Sequence, residues 1–222
     1  MNDLLFLLIA LPTAYLLGSI PSAVWIGRSF YGIDVREHGS GNAGATNTLR
    51  VLGKKAGFFV LFIDCIKGLA AASLPLFNNN LTPGSEMFHI HQMACGMAAV
   101  LGHVFPVFAG FKGGKGIATL LGVVIGISWP VSLMCALTFV VIVWVTRYIS
   151  VGSMLACSLS PLYVRIYHGY EPAFIYFCVA IAIMVIYTHR SNLKRLKEGN
   201  ENRFSFNQGQ KKEKNELVSE NS

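Results

Sequence analysis

Two glycine-rich basic segments stand out in an otherwise apolar chain. One runs His38-Gly39-Ser40-Gly41-Asn42-Ala43-Gly44-Ala45-Thr46-Asn47-Thr48-Leu49-Arg50, the other Phe111-Lys112-Gly113-Gly114-Lys115-Gly116-Ile117-Ala118-Thr119. Each opens an apolar run, which places each at the start of a membrane helix. Backbone N–H groups at a helix start, joined by Arg or Lys, make an anion site, most naturally for phosphate. A phosphate site at a membrane surface points to chemistry in which a water-soluble phosphate meets a lipid.

In the first segment Gly39, Gly41 and Gly44 permit sharp turns and close approach to a ligand. Thr46 or Asn47 is expected to cap the helix that follows, and Thr46 and Arg50, four residues apart, share a face of it. Arginine in the first turn of a helix is electrostatically unfavourable unless an anion is also there. Ser40, Asn42, Thr46, Asn47 and Arg50 therefore read as the walls of a first anion pocket. A cytoplasmic loop whose glycines merely turn is the plainer alternative. In the second segment Lys112, Gly113, Gly114 and Lys115 supply flexible backbone donors and two ammonium groups. Its spacing departs from the nucleotide-binding loop G-x-x-x-x-G-K-[ST] and no strand precedes it, so ATP binding is discounted. Here the plainer alternative is a positive anchor.

Four further places carry chemistry or its bland counterpart. His103, in Gly102-His103-Val104-Phe105-Pro106, stands near the inner end of its helix, where a lone histidine is more often a packed polar residue than a catalytic base. His189 and Asn192 share a helical face, and a histidine at the interface suits acid–base work near neutral pH. Arg190, Lys194 and Arg195 beside them fit an interface belt. In Arg147-Tyr148-Ile149-Ser150-Val151-Gly152-Ser153, Ser150 or Ser153 either donates to the same anion or caps a helix. Asp64 and Lys67, three apart within an apolar run, are expected as a buried ion pair outside the core site.

The elements that position these residues are membrane helices. Of the 222 residues, 53% are apolar and 13% charged, and the mean hydropathy is +0.52. Continuous apolar runs cover roughly 4–27, 56–77, 88–110, 117–128, 130–146, 151–167 and 172–188. Several approach the ~20 residues that cross a bilayer, and their lack of alternation disfavours a β-barrel. The run 4–27, with Asp3 before it, reads as a retained first helix rather than a secretory signal. Segments 117–128 and 130–146, separated by Ser128-Trp129-Pro130, are either one re-entrant unit or two short helices with a tight turn. Seven spans are expected, with five as the rival count.

Charge supports an odd number. With the N-terminus outside, Arg28, Arg36, Arg50, Lys54, Lys55, Lys112, Lys115, Arg147 and the basic residues from Arg190 onward all fall inside. The outer loops, about 78–87 and 168–171, contain no Lys or Arg. That is the positive-inside pattern. The net charge of +7 accordingly reports topology and attraction to anionic lipid, not nucleic-acid binding. The five cysteines lie singly in apolar segments, with no disulfide or metal site expected. Residues 1–197 form the transmembrane domain, and 198–222 read as a polar, disordered cytoplasmic tail.

Taken together, Gly18-Ser19-Ile20-Pro21, the 39–47 run with Arg50, Gly102–Pro106, Phe111–Thr119, Arg147–Ser150 and His189-Arg190-Ser191-Asn192 resemble a known family. It is the bacterial membrane acyltransferases that move a fatty acyl group from acyl phosphate to glycerol-3-phosphate. The motifs keep the family's order across residues 18–192, without departure. The resemblance implies a seven-helix inner-membrane enzyme whose site faces the cytoplasm. It implies 1-acyl-glycerol-3-phosphate and inorganic phosphate as products, with no cofactor. Coupling to the enzyme that forms acyl phosphate follows from the same likeness. On this reading His189, Lys115 and Ser40 take part in the chemistry. Asn42, Thr46, Asn47, Arg50, His103, Lys112, Gly113, Gly114, Ser150, Ser153 and Asn192 bind substrate. Either His189 or a substrate phosphate oxygen takes the hydroxyl proton. An organophosphate transporter is the alternative, weakened by binding groups at one face and by the lack of repeated halves.

Overall fold

The computed structural model describes residues 3–204 and is all-helical. Its helices are α1 (Asp3–Gly18), α2 (Ser22–Tyr31), α3 (Ala45–Leu52), α4 (Lys54–Ser73), α5 (Glu86–Val104), α6 (Ile117–Ile127), α7 (Trp129–Thr146), α8 (Ile149–His168), α9 (Pro172–Thr188) and α10 (Arg190–Lys197). Five stretches are long and apolar enough to cross a bilayer: Asp3–Tyr31, Lys54–Phe77, Glu86–Ala109, Trp129–Thr146 and Ile149–His168. A sixth appears if α9 and α10, bent by 57° at their junction, count as one. α6 is apolar but has 11 residues, about 16 Å of helix against a hydrocarbon layer of ~30 Å. Length alone therefore falls short of the seven spans expected. The ambiguous region resolves as two helices meeting at Ser128.

The helices run between two chemically distinct ends. At one end Asn78 Nδ2 donates to Asp3 Oδ1 (3.0 Å), and Ser128 Oγ pairs with His168 Nε2 (2.7 Å). Glu86, His89, Glu171 and Phe174 share a cleft there. The connecting loops at this end are the ones without Lys or Arg. The opposite end gathers both glycine-rich segments, the α7–α8 turn and α10 around one cavity. Arg190 at that end lies on the Tyr187 ring (4.5 Å to the centroid), as an interface belt requires.

The first apolar run is not one helix. Pro21 has no N–H and disfavours helical geometry at Ile20, so the chain breaks between Gly18 and Ser22. The break lies within an apolar stretch, where an unpaired carbonyl is costly. Lys67 Nζ fills the Ile20 carbonyl at 2.9 Å, Ser22 Oγ donates to Asp64 Oδ1 at 2.7 Å, and Lys67 and Asp64 pair at 2.8 Å. The ion pair read from the sequence is thus the stitch that holds α1–α2 against α4.

Backbone contact between α4 and α6 sets the depth of the second glycine-rich segment. A Cβ on Gly68 would lie 2.0 Å from the Thr119 carbonyl oxygen, and one on Gly122 would lie 1.9 Å from that of Cys65. Only glycine on both helices permits this approach, as in small-residue membrane packing. The stretches that lead into the two glycine-rich loops are also tied together. Asp34 accepts from Arg28 (2.8 Å) and Arg36 (2.7 Å), and Arg36 Nη1 donates to the Ala109 carbonyl (2.9 Å). The two guanidiniums hold the Asp34 carboxyl well below the ordinary range.

The polar tail begins later than expected. After Gly199, in the left-handed region at φ 73°, the chain folds back over the α7–α8 turn. Phe204 N–H donates to the Arg147 carbonyl (2.6 Å) and Arg203 Nε to the Tyr148 hydroxyl (3.3 Å). Glu201 is 8% exposed. A boundary at 197/198 therefore cuts through packed chain. The rest of the expected tail, 205–222, lies outside the described residues.

Candidate active site

Four helix N-termini open onto one cavity of ≈ 150 Å³: α3 at Gly44–Thr46, α6 at Gly116–Ala118, α8 at Ile149–Ser150 and α10 at His189. The first N–H groups of a helix have no intrahelical partner and carry partial positive charge. Arg50, Lys115 and Arg195 add three cations to the same wall. Among the described residues Arg50 is half-buried and its guanidinium donates to no protein acceptor. Burial lowers its pKa from the usual arginine value, with the Glu201 carboxylate pulling the other way. The arrangement is an anion cradle with one donor group left open.

Lys115 Nζ donates to Asn192 Oδ1, which ties the lysine loop to α10. Burial, then the Arg195 guanidinium, brings the Lys115 ammonium down to about 8. Its charge is therefore present below about pH 8 and lost above it. We expect kcat/KM for the reaction run in this cavity to fall on the alkaline side of that value; a profile flat from pH 7 to about 9.5 would remove Lys115 from the cradle.

His189 is 3% exposed and its Nδ1 lies 2.8 Å from the Val185 carbonyl. That acceptor fixes the proton on Nδ1 and leaves Nε2 with a lone pair. Burial, then the Lys115 ammonium, holds its pKa down to about 4. The imidazole is neutral at physiological pH.

Glu201 sits within the cation cluster. Its Oε1 accepts from Ser150 Oγ (2.8 Å) and Asn192 Nδ2 (2.6 Å), and its Oε2 from Arg195 Nε (2.8 Å). Burial pushes the Glu201 carboxyl up, and these three hydrogen bonds outweigh it, so its pKa lies below the ordinary value. Glu201 and Arg195 were not among the residues expected here: one was placed in the tail, the other in the interface belt. The available signal is Gly199, a helix terminator two residues before an acid that follows a basic helix.

Most expected residues do converge. Ser40, Asn42, Thr46, Asn47, Arg50, His103, Lys115, Ser150, Ser153, His189 and Asn192 all line the cavity. Their roles differ in places from expectation. Neither Thr46 nor Asn47 caps α3; its N-cap is Gly44, with no side-chain cap. Asn47 instead clamps the preceding loop. Its Oδ1 accepts from Ser40 N (2.8 Å) and Ser40 Oγ (3.1 Å), and its Nδ2 donates to the Val35 (2.7 Å) and His38 (3.0 Å) carbonyls. With its amide filled, Asn47 shapes the pocket but has no hydrogen left for a ligand. Ser153 commits its hydroxyl hydrogen to the Ile149 carbonyl (3.0 Å), so it is not a ligand donor in this arrangement.

Three expected residues lie elsewhere. Lys112 and Gly113 border a separate polar cleft with Arg28, Asp34, Arg36 and Glu37. The Gly113 and Gly114 N–H groups donate to the Val104 and His103 carbonyls, both at 3.2 Å. They are filled, and do not serve an anion. Gly114 is needed for fit, because a Cβ there would stand 2.2 Å from His103 Nε2.

A second, carbon-lined groove of ≈ 200 Å³ adjoins the cradle between α4, α6, α7, α8 and α9. Leu61, Ile117, Ala118, Phe139 and Ser153 border both spaces. Cys135, Cys157 and Cys178, all free thiols, line the groove. An anion seat that shares a wall with an apolar slot suits a molecule with a charged head and a hydrocarbon tail.

The comparisons with known proteins decide the family. A family model described as Glycerol-3-phosphate acyltransferase matches residues 8–199. This chain belongs to that family. Among similar curated proteins, the glycerol-3-phosphate acyltransferase of Chlorobaculum tepidum is 44% identical over 219 residues, covering 87% of this chain and 94% of that protein. That of Bacillus cytotoxicus is 44% identical over 198 residues, covering 89% and 95%. Among solved structures, PlsY (YgiH), described as an integral membrane glycerol 3-phosphate acyltransferase, matches in its glycerol 3-phosphate form. The TM-score is 0.78 at 40% identity, over 89% of this chain and 95% of that one. Its lysophosphatidic acid form matches with TM-score 0.76 at 39% identity. The protein is therefore a multi-pass membrane acyltransferase, and the cradle and groove are where its chemistry is sought.

Proposed function

We propose that this acyltransferase moves a fatty acyl group from acyl phosphate to the sn-1 hydroxyl of glycerol 3-phosphate. The products are 1-acyl-glycerol-3-phosphate and inorganic phosphate, in the first acylation of phospholipid synthesis. The half-buried Arg50 guanidinium, unpartnered among the described residues and facing a cavity ringed by helix N-termini, carries this reading. Such a seat takes a phosphate dianion. The adjoining groove takes the acyl chain, and the shared residues Ile117, Ala118, Phe139 and Ser153 mark where carbonyl and hydroxyl meet.

Acyl phosphate is a mixed anhydride and already activated, so attack needs no covalent enzyme intermediate. The protein positions two substrates and stabilises charge. Arg50, Lys115 and the α3 and α6 N-termini hold phosphate; Asn192 aligns Lys115, and Ser150 supports Glu201 beneath it. Ser40 and Asn42 border the acceptor side, next to Thr46. His189 Nε2 accepts the hydrogen of the attacking hydroxyl and orients it. The oxygen–acyl bond forms, the acyl–phosphate bond breaks, and the proton passes to the departing phosphate, a stronger base than an imidazole of pKa about 4. No cofactor or metal is called for.

We place the protein in the bacterial cytoplasmic membrane with seven passages, α6 being a short one, and the N-terminus outside. The cradle then faces the cytoplasm, where glycerol 3-phosphate is dissolved and where an acyl-phosphate-forming enzyme delivers the donor. Apart from Arg165 in the last turn of α8 and Lys67 within α4, the Lys and Arg of the described residues gather at the cradle end, which supports this orientation.

The test is purified protein in detergent with acyl phosphate and labelled glycerol 3-phosphate, followed for labelled lipid and released phosphate. Acyl-CoA and acyl carrier protein thioesters serve as alternative donors. Lipid formed only with acyl phosphate supports the reading; no lipid with any donor, as a transporter would give, overturns it. Within this assay Arg50→Lys raises KM for glycerol 3-phosphate by ~10-fold with a smaller change in kcat, because lysine lacks the bidentate fork. An unchanged KM would take Arg50 out of acceptor binding.

A further inference from the structure

Beneath the cradle lies a buried pair that the mechanism above does not use. His103 Nδ1 stands 3.1 Å from Thr119 Oγ1 and 3.6 Å from Asp64 Oδ1. Asp64 Oδ1 is held by Ser22 and Lys67, while Oδ2 is buried with no hydrogen-bond partner. A carboxylate beside Nδ1 keeps the proton on that nitrogen, and Nε2 is left as an acceptor. Nε2 points to the 112–116 loop, where the missing side chain of Gly114 leaves it room. Both Asp64 and His103 line the cradle, yet neither lines the carbon-walled groove.

Glycerol 3-phosphate carries two hydroxyls. One must reach the groove mouth to attack. The other, on the middle carbon, is buried with the substrate and costs binding energy unless it finds a partner. His189 serves the first. We propose that His103 Nε2, its proton placement fixed by Asp64, accepts the middle hydroxyl and turns it away from the acyl carbon. His103 is then a binding residue and Asp64 a positioning residue that acts through it. This rests on glycerol 3-phosphate being the acceptor.

The experiment compares kcat/KM for glycerol 3-phosphate with that for 3-hydroxypropyl phosphate, which has the same length and no middle hydroxyl. The purified full chain is used with one acyl phosphate donor. The wild-type protein is expected to favour glycerol 3-phosphate by ~10-fold or more. In His103→Ala, and to a lesser degree in Asp64→Asn, that ratio falls toward unity. A purely structural role lowers turnover of both acceptors together and preserves the ratio, which overturns the proposal. Equal use of the two acceptors by the wild-type protein overturns it without any variant, so a variant that fails to fold does not shelter it. If the wild-type protein acylates neither compound, the acceptor assignment itself has failed, and that result is seen before any ratio is formed.

Discussion

Lys115→Ala should lower kcat/KM by ~10³-fold while the protein inserts and purifies as before. The expectation follows from where the ammonium sits. It stands at the start of α6, bonds to Asn192 on α10, and shares its cavity with Arg50 and Arg195. On the proposed mechanism charge builds on the departing phosphate as the acyl–phosphate bond breaks, and a fixed cation there acts on the transition state more than on the ground state. The α4–α6 contact through Gly68 and Gly122 does not involve the side chain, so the fold should survive its loss. Turnover within a few-fold of wild type would show that the lysine only anchors a loop.

Glu201→Ala should be nearly as damaging, for a different reason. The carboxylate is the common acceptor for Ser150, Asn192 and Arg195. Without it, Asn192 loses the partner that sets its amide, and Lys115 loses the alignment that Asn192 provides. We expect kcat/KM to fall ~10²-fold through misplacement, and stability in detergent to fall by about 1–3 kcal/mol. A chain ending at Lys197 should show the same two losses. Unaltered kinetics in that shortened chain would mean that the fold-back after Gly199 is ornamental.

What the sequence disclosed and what it hid divide along physical lines. Local composition carried the two glycine-rich loops and the two ends of the bundle, because glycines, cations and apolar runs act where they stand. Ser128-Trp129-Pro130 marked a break between α6 and α7 for the same reason, but left open whether the two form one re-entrant unit or two helices. Direction was not legible. Lys112 and Lys115 are three residues apart, but Lys112 borders the Asp34 cleft and only Lys115 enters the cradle. Nor could composition show that the amide of Asn47 is filled by its own loop, or that the Gly113 and Gly114 N–H groups are taken by α5 carbonyls. The break at Pro21 was masked by apolar residues on both sides. Glu201 was masked by its polar neighbours: a residue that is part of a buried network across 51 residues of chain looks, in sequence, like any other solvated acid.

The wall held in common by Ile117, Ala118, Phe139 and Ser153 has a kinetic consequence. In the proposed reaction one reactant dissolves in water and the other in hydrocarbon, and each meets its own face of that partition. Velocity should then follow the molarity of the acceptor but the mole fraction of the donor among surrounding amphiphiles. Diluting the donor with inert lipid at constant total amount should slow the enzyme, whereas diluting the whole vesicle suspension at fixed acceptor concentration should leave its turnover number unchanged.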